Sequence, residues 1–167
     1  MTAMEPFENV CLGEECSARL CEQMKRELGF FSFLSESDLG DVSGFFNCRT
    51  VAARTNLWHA GDSSDYIAFI ISGRVQIKVD TEFPGKQVVV GVFSRGSVIG
   101  SSCAVDTATR FTTAMAMEDA GLILLAHDNF NRLIDDHPLI GSKLLKGMLL
   151  SEANRLQKAY MRLASIF

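Results

Sequence analysis

The sequence predicts a mainly β domain, a sandwich or barrel, with helices before and after it. Between Cys48 and Ala126, short β-like runs are separated by Gly, Ser, Asp and Pro rather than by helical crossovers. One run, "RVQIKVD", alternates Val75, Ile77 and Val79 with polar residues at period two, as strands do. From His127 onward the pattern turns helical and stays so. The chain therefore divides into a helical arm over 1–29, a β unit with its leading helix over 30–137, and a terminal helix over 138–167.

Each element follows in order. In "FFSFLSESDLGDVSGFF", Ser35 and Asp38 have the Ser-x-x-Asp spacing of a capping box. A short helix is expected there, with Leu39 and Val42 on one face. "TVAARTNLW" opens the β region, followed by the turn "HAGDSSD" and the buried-looking run "YIAFIIS". Gly73 separates that run from "RVQIKVD". "FPGK" reads as a type II turn, because Gly85 can adopt the positive φ that turn requires. "QVVVGVF", "TTAMAM" and "GLILLA" bring the expected total to six to eight short strands. Asp128 is placed to cap the helix "NFNRLIDD", and Pro138 suits the first turn of a longer helix. In that longer helix Leu145, Leu149, Leu156, Leu163 and Ile166 fall at 4-3 spacing, with Glu152 and Ala159 completing the series. So narrow a seam fits a two-helix contact better than the broad stripe of a helix lying on a core. A homodimer through the terminal helix is expected, against the alternative that this helix packs back on the β unit.

Composition sets bounds on function. Net charge is −4, so no basic field draws the protein onto nucleic acid. No apolar run reaches the length of a membrane span, and the first residues lack the pattern of a signal peptide. Five cysteines, an odd number, lack the even spacing of a secreted disulfide framework, so a reducing cytoplasm is the expected compartment. Cys11, Cys16 and Cys21 are spaced C-x4-C-x4-C, unlike the tight pairs that wrap an iron–sulfur cluster. On a helix each five-residue step rotates by about 140°, so the three share no face. They read as buried or incidental thiols. His59, His127 and His137 lack metal-ligand spacing and read as turn or surface residues. No nucleophile–base pair or paired carboxylates stand out, so neither catalytic nor metal-ligating residues are assigned.

One stretch invites a binding role. "GSVIGSSCAVDTATRFTTAMA", from Gly96 to Ala116, joins a glycine turn to small residues and then to a lone arginine. Backbone N–H groups and Arg110 together describe a place for a phosphate. Taken alone, Ser101 and Ser102 read as turn residues and Cys103 as a packing residue. Arg110 stands within an otherwise uncharged run, which favours an anion partner over a surface role.

The order of these motifs resembles the cyclic-nucleotide-binding domain family, the effector domain of catabolite-activator-type regulators. "FFSFLSESDLGDV" resembles its leading helical segment, and "LWHAGDSSDYIAFIISGRVQIKV" its strand, Gly-Asp turn, strand, Ser-Gly, strand signature. "GSVIGSS" through "TRFTTAMA" sits where the phosphate-binding cassette belongs, and "FNRLIDDHPLIGSKLL" resembles the start of the hinge and dimer helix. The resemblance implies a jelly-roll β-barrel flanked by helices and ended by a long helix. It places Gly100 at the cassette glycine and Ser101 where a glutamate usually accepts the ribose 2′-hydroxyl. Ser102, Cys103 and Ala104 then supply N–H groups, Arg110 matches the phosphate arginine, and Val90 and Ile99 fall at apolar wall positions. Phe111 replaces the usual Ser or Thr, and its side chain points either into the pocket or into the core. Asn154 and Arg155 on the terminal helix are expected near a ligand.

The implied function is that of a regulatory domain sensing a cyclic nucleotide (cAMP or cGMP) or a similar anion with an atypical cassette. A degenerate domain that dimerises without binding is the alternative; the resemblance also implies, as the lesser one, a redox or iron–sulfur sensor using the N-terminal cysteines with Cys48 or Cys103 as a fourth ligand. The chain ends soon after the long helix, with no room for a helix-turn-helix unit, so DNA binding is not expected. A signal would pass to a separate protein or through dimer geometry.

Overall fold

The computed structural model of the protein describes residues 31–105 and 109–165. Cys11, Cys16, Cys21 and the arm over 1–29 lie outside these residues, as does Ile166. Eight strands form: β1 (Phe46–Val51), β2 (Asn56–Trp58), β3 (Tyr66–Ser72), β4 (Arg74–Asp80), β5 (Gln87–Ser94), β6 (Val98–Ile99), β7 (Thr113–Ala116) and β8 (Ala120–Ala126). They pair antiparallel in two four-stranded sheets, ordered β1-β8-β3-β6 and β2-β7-β4-β5. Strands thus pass from sheet to sheet along the chain, which is the jelly-roll arrangement.

The apolar run "YIAFIIS" is β3, and its lack of alternation has a simple cause. Ile67, Phe69 and Ile71 face the helices, whereas Ala68 and Ile70 face the opposite sheet. Both faces are buried, so every position is apolar. Two cores result, one between the sheets and one between the β1-β8-β3-β6 sheet and the helices. Phe31, just before the first helix, joins the second core, where its ring meets Phe69 at 5.1 Å and Phe46 at 5.8 Å. Gly73, at φ +76°, turns β3 into β4 where a Cβ would come within 2.4 Å of the Asp119 carbonyl oxygen. The "FPGK" turn carries the expected positive φ at Gly85.

Three helices flank the barrel: α1 (Glu36–Val42), α2 (His127–Asp136) and α3 (Pro138–Ala164). α1 opens with the predicted capping box, Asp38 N–H donating to Ser35 Oγ at 3.1 Å and Ser35 N–H to Asp38 Oδ2 at 2.7 Å. Lys143 on α3 also donates to Asp38 Oδ2, at 2.5 Å, tying α3 to α1. The lysine bond, with the Ser35 N–H, lowers the Asp38 pKa to about 2.

α2 corrects one expectation. It begins at His127, so Asp128 lies in its first turn rather than at the cap, and Ala126 at the N-cap gives no side-chain bond. Tertiary contacts fix this start instead: the His127 N–H donates to the Asp65 carbonyl at 2.8 Å. α3 begins with Pro138 as expected and buries Ile140, Leu144 and Met148 in the helix-side core. Leu145, Leu149, Leu156 and Leu163 remain exposed along the rest of the helix. No helix among the described residues is long and apolar enough to cross a membrane.

Candidate functional site

Strand β6 is short because Gly100 ends it. Gly100 takes φ +72° and leads into a one-turn 3-10 helix, Ser101–Ala104. A side chain is excluded there twice over. Positive φ disfavours a Cβ, and one built at Gly100 would lie 2.5 Å from Arg110 Nη1 and 3.3 Å from the Trp58 ring.

The turn is anchored from beneath. The Cys103 side chain is buried in the helix-side core, and burial pushes its thiol pKa up, so it stays protonated. The Cys103 carbonyl accepts from His127 Nδ1 at 2.7 Å, while His127 Nε2 lies 2.9 Å from Asn131 Nδ2. A carbonyl can only accept, so the imidazole carries its proton on Nδ1 and takes the asparagine donor on Nε2. The Cys103 N–H is committed to the Gly100 carbonyl at 3.2 Å. The amides that a 3-10 turn leaves without an internal partner are therefore those of Ser101 and Ser102, not that of Cys103.

Arg110 forms the centre of the site. Its backbone is pinned to the Gly-Asp turn, with Arg110 N–H donating to the Asp62 carbonyl and Gly61 N–H to the Arg110 carbonyl, both at 2.7 Å. Its side chain runs inward and is only 4% exposed. The guanidinium lies over the face of Trp58, 4.2 Å from the ring centroid, and 5.1 Å from that of Tyr66. Nη2 donates to the Tyr66 carbonyl at 2.5 Å and Nη1 to the Gly100 carbonyl at a long 3.4 Å. Nε is buried with no hydrogen-bond partner among the described residues. No carboxylate pairs with Arg110 among the described residues. Burial lowers the pKa of the group, yet an arginine keeps its charge in proteins. A cation held away from water by aromatic faces and carbonyls, without a counter-ion, is costly in a closed protein and suited to receiving an anion.

The terminal helix reaches the same turn. Ser101 Oγ donates to Glu152 Oε1 at 2.7 Å, and Arg155 Nη1 donates to Glu152 Oε2 at 3.2 Å. Arg155 Nη2 donates to the Val98 carbonyl, and its guanidinium stacks 4.6 Å from the Phe93 ring centroid on β5. Glu152 and Arg155, three apart, share the helix face over the cassette.

The residues singled out in the sequence thus separate. Gly100, Ser101, Ser102, Cys103, Arg110 and Arg155 gather around one turn. Ile99 is buried in the inter-sheet core, where it shares a cluster with Trp58. Val90 sits half-exposed on β5, an edge strand, and Asn154 is exposed. Phe111 takes neither of its two expected directions: it is 74% exposed and points to solvent. Three contributors were missed, namely Trp58, Tyr66 and Glu152. Glu152 falls in the 4-3 series of the terminal helix, and its spacing to Arg155 at i, i+3 is the signal that marks it.

Residues 48–137, more than half of the chain, match the family described as cyclic nucleotide-binding domain. The chain belongs to that family. A cyclic nucleotide-binding domain from Methylobacillus flagellatus KT superposes with a TM-score of 0.81 at 18% identity, covering 98% of this chain and 97% of that one. The regulatory domain of Toxoplasma gondii PKA, crystallised with cAMP, gives 0.62 at 24% identity over 76% of this chain and 48% of that one. At such identities these likenesses speak for the fold. Among curated proteins, neuropathy target esterase sws of Drosophila persimilis is 32% identical over 89 residues, 53% of this chain. The matched stretch is only 6% of the esterase's length. The cyclic nucleotide-binding domain is generally a regulatory unit rather than a catalytic one.

Proposed function

We propose that this protein is a regulatory domain that binds a cyclic nucleotide, or a small anion of similar shape, between the Gly100 turn, Arg110 and α3. The observation that carries this reading is Arg110: buried, charged, without a carboxylate partner among the described residues, and with an orphan Nε. The anionic phosphate of cAMP or cGMP is the natural counter-ion for such a group. Ser101 and Ser102 add two amides at the start of the turn. The cAMP-bound PKA domain supports the ligand class through a shared fold. No role in catalysis is assigned to any residue.

Affinity is set by what the cassette lacks. Ser101 cannot offer the charged acceptor of a glutamate, and one lost hydrogen bond to a charged group costs about 1.5–3 kcal/mol, roughly ten- to a hundredfold. Phe111, pointing to solvent, takes no space beside the Arg110 guanidinium, so its cost is limited to one absent hydroxyl. The exposed leucines of α3 support a homodimer, a second copy covering Leu145, Leu149, Leu156 and Leu163.

A second reading is a dimerising domain that binds no nucleotide. It is favoured by the internal partners Arg110 already has, Tyr66 and Gly100, and by the contact of α3 with Ser101. Calorimetric titration with cAMP and cGMP separates the two. Binding at one ligand per chain supports the first; no heat at millimolar ligand, from folded protein, supports the second.

A further inference from the structure

We infer that Glu152, on the terminal helix, is the residue that accepts a hydroxyl of the bound ligand, a task the cassette itself cannot perform. The inference rests on the ligand reading above and deepens it. Arg110 reaches the carbonyl of Gly100, and Glu152 reaches the hydroxyl of the next residue, Ser101. A cation and a carboxylate therefore meet the same turn at adjacent positions, coming from β-barrel and helix respectively. A ligand that carries a phosphate and a neighbouring sugar hydroxyl offers the complementary pair, an anion for Arg110 and a donor for Glu152.

Glu152 has the capacity and the rigidity for this. An ionised carboxylate has about four acceptor sites. Ser101 and Arg155 are the donors that reach it among the described residues: Ser101 on Oε1, and Arg155 Nη1 astride both oxygens, 3.1 Å from Oε1 and 3.2 Å from Oε2. Its side chain is 39% exposed, so acceptor capacity remains within reach of solvent and of an incoming group. Arg155 is itself held by the Val98 carbonyl and the Phe93 ring, which fixes the carboxylate over the turn. The Ser101 proton is spent on Glu152, so Ser101 acts as a positioning residue for the carboxylate. Sugar recognition then depends on α3 being seated, because the acid lies on the helix and not on the barrel.

The test compares cAMP with 2′-deoxy-cAMP in four proteins: wild type, Glu152→Ala, Ser101→Ala, and the double variant Ser101→Glu with Glu152→Ala. Alanine suits a helix surface, and thermal melts confirm that each variant is folded. The wild type is expected to prefer cAMP by about ten- to a hundredfold, the value of one hydrogen bond to a charged acceptor. Glu152→Ala should lower that ratio to within about twofold of one, while Ser101→Ala should keep a preference. The double variant, which returns the acid to the cassette, should restore it. An unchanged preference in Glu152→Ala, or no preference in the wild type, overturns this inference alone. A wild type that binds neither nucleotide overturns the ligand reading and, with it, the inference.

Discussion

Arg110 and Gly100 act as a pair. The glycine has no side chain because the guanidinium passes where its Cβ would lie, and the guanidinium is buried because Trp58 and Tyr66 flank it. Two outcomes follow at this scale. Arg110→Met replaces a buried charge, without a carboxylate partner among the described residues, with a shorter apolar chain. Ligand-free thermal stability should hold or rise, as it does when buried charges give way to packed apolar groups, while cAMP affinity falls at least tenfold by calorimetry. Gly100→Ala should lose stability by about 1 kcal/mol or more in urea unfolding, from positive φ alone, and displace Arg110 in addition. The sequence marks Arg110 and Gly100 plainly, since a lone cation and a glycine turn stand out among small neutral residues. It does not mark Phe111, whose direction depends on how the chain leaves Arg110 for β7. Nor does it mark Trp58 and Tyr66, which look like ordinary strand aromatics until folding lays Arg110 against them.

At the scale of elements, α3 has two jobs. Its first turns join the helix-side core, and Lys143 grips the α1 cap through Asp38. Because the folded pKa of Asp38 lies near 2, below its ordinary 3.8, the carboxylate adds stability above about pH 4. That contribution is lost as pH falls through about 2. Asp38→Asn should flatten this part of the stability profile, measured by thermal melts from pH 5 to 2. Farther along, the exposed leucine seam is expected to hold a second copy. Leu149→Glu with Leu156→Glu should turn a dimer into a folded monomer in sedimentation, and a wild type that is monomeric at high concentration would remove the dimer. The 4-3 spacing was legible because it needs only periodicity. The inward face was not, because Glu152 and Arg155 are polar and gain meaning only when the helix is laid against β6. The start of α2 was misread for a related reason: hydrogen bonds from residues far along the chain, not a local cap, decide it.

For the whole molecule, strand count, turn positions and flanking helices could be read in advance because each rests on local pattern. The jelly-roll class came from resemblance, and the sheet order β1-β8-β3-β6 and β2-β7-β4-β5 from the structure alone, since pairing between distant strands leaves no local trace. That order brings β3, β6 and the Gly-Asp turn around Arg110, and so makes a site from three separate stretches. If Arg110 receives an anionic ligand as proposed, the ligand must raise the melting temperature through it. With cAMP at a hundredfold above its Kd, linkage predicts about 2.7 kcal/mol of stabilisation, a rise of roughly 5–10 °C for a domain of this size. That rise is expected in the wild type and none in Arg110→Met. A wild type whose melting does not move with cAMP or cGMP at millimolar concentration, or a variant that moves equally, would contradict it.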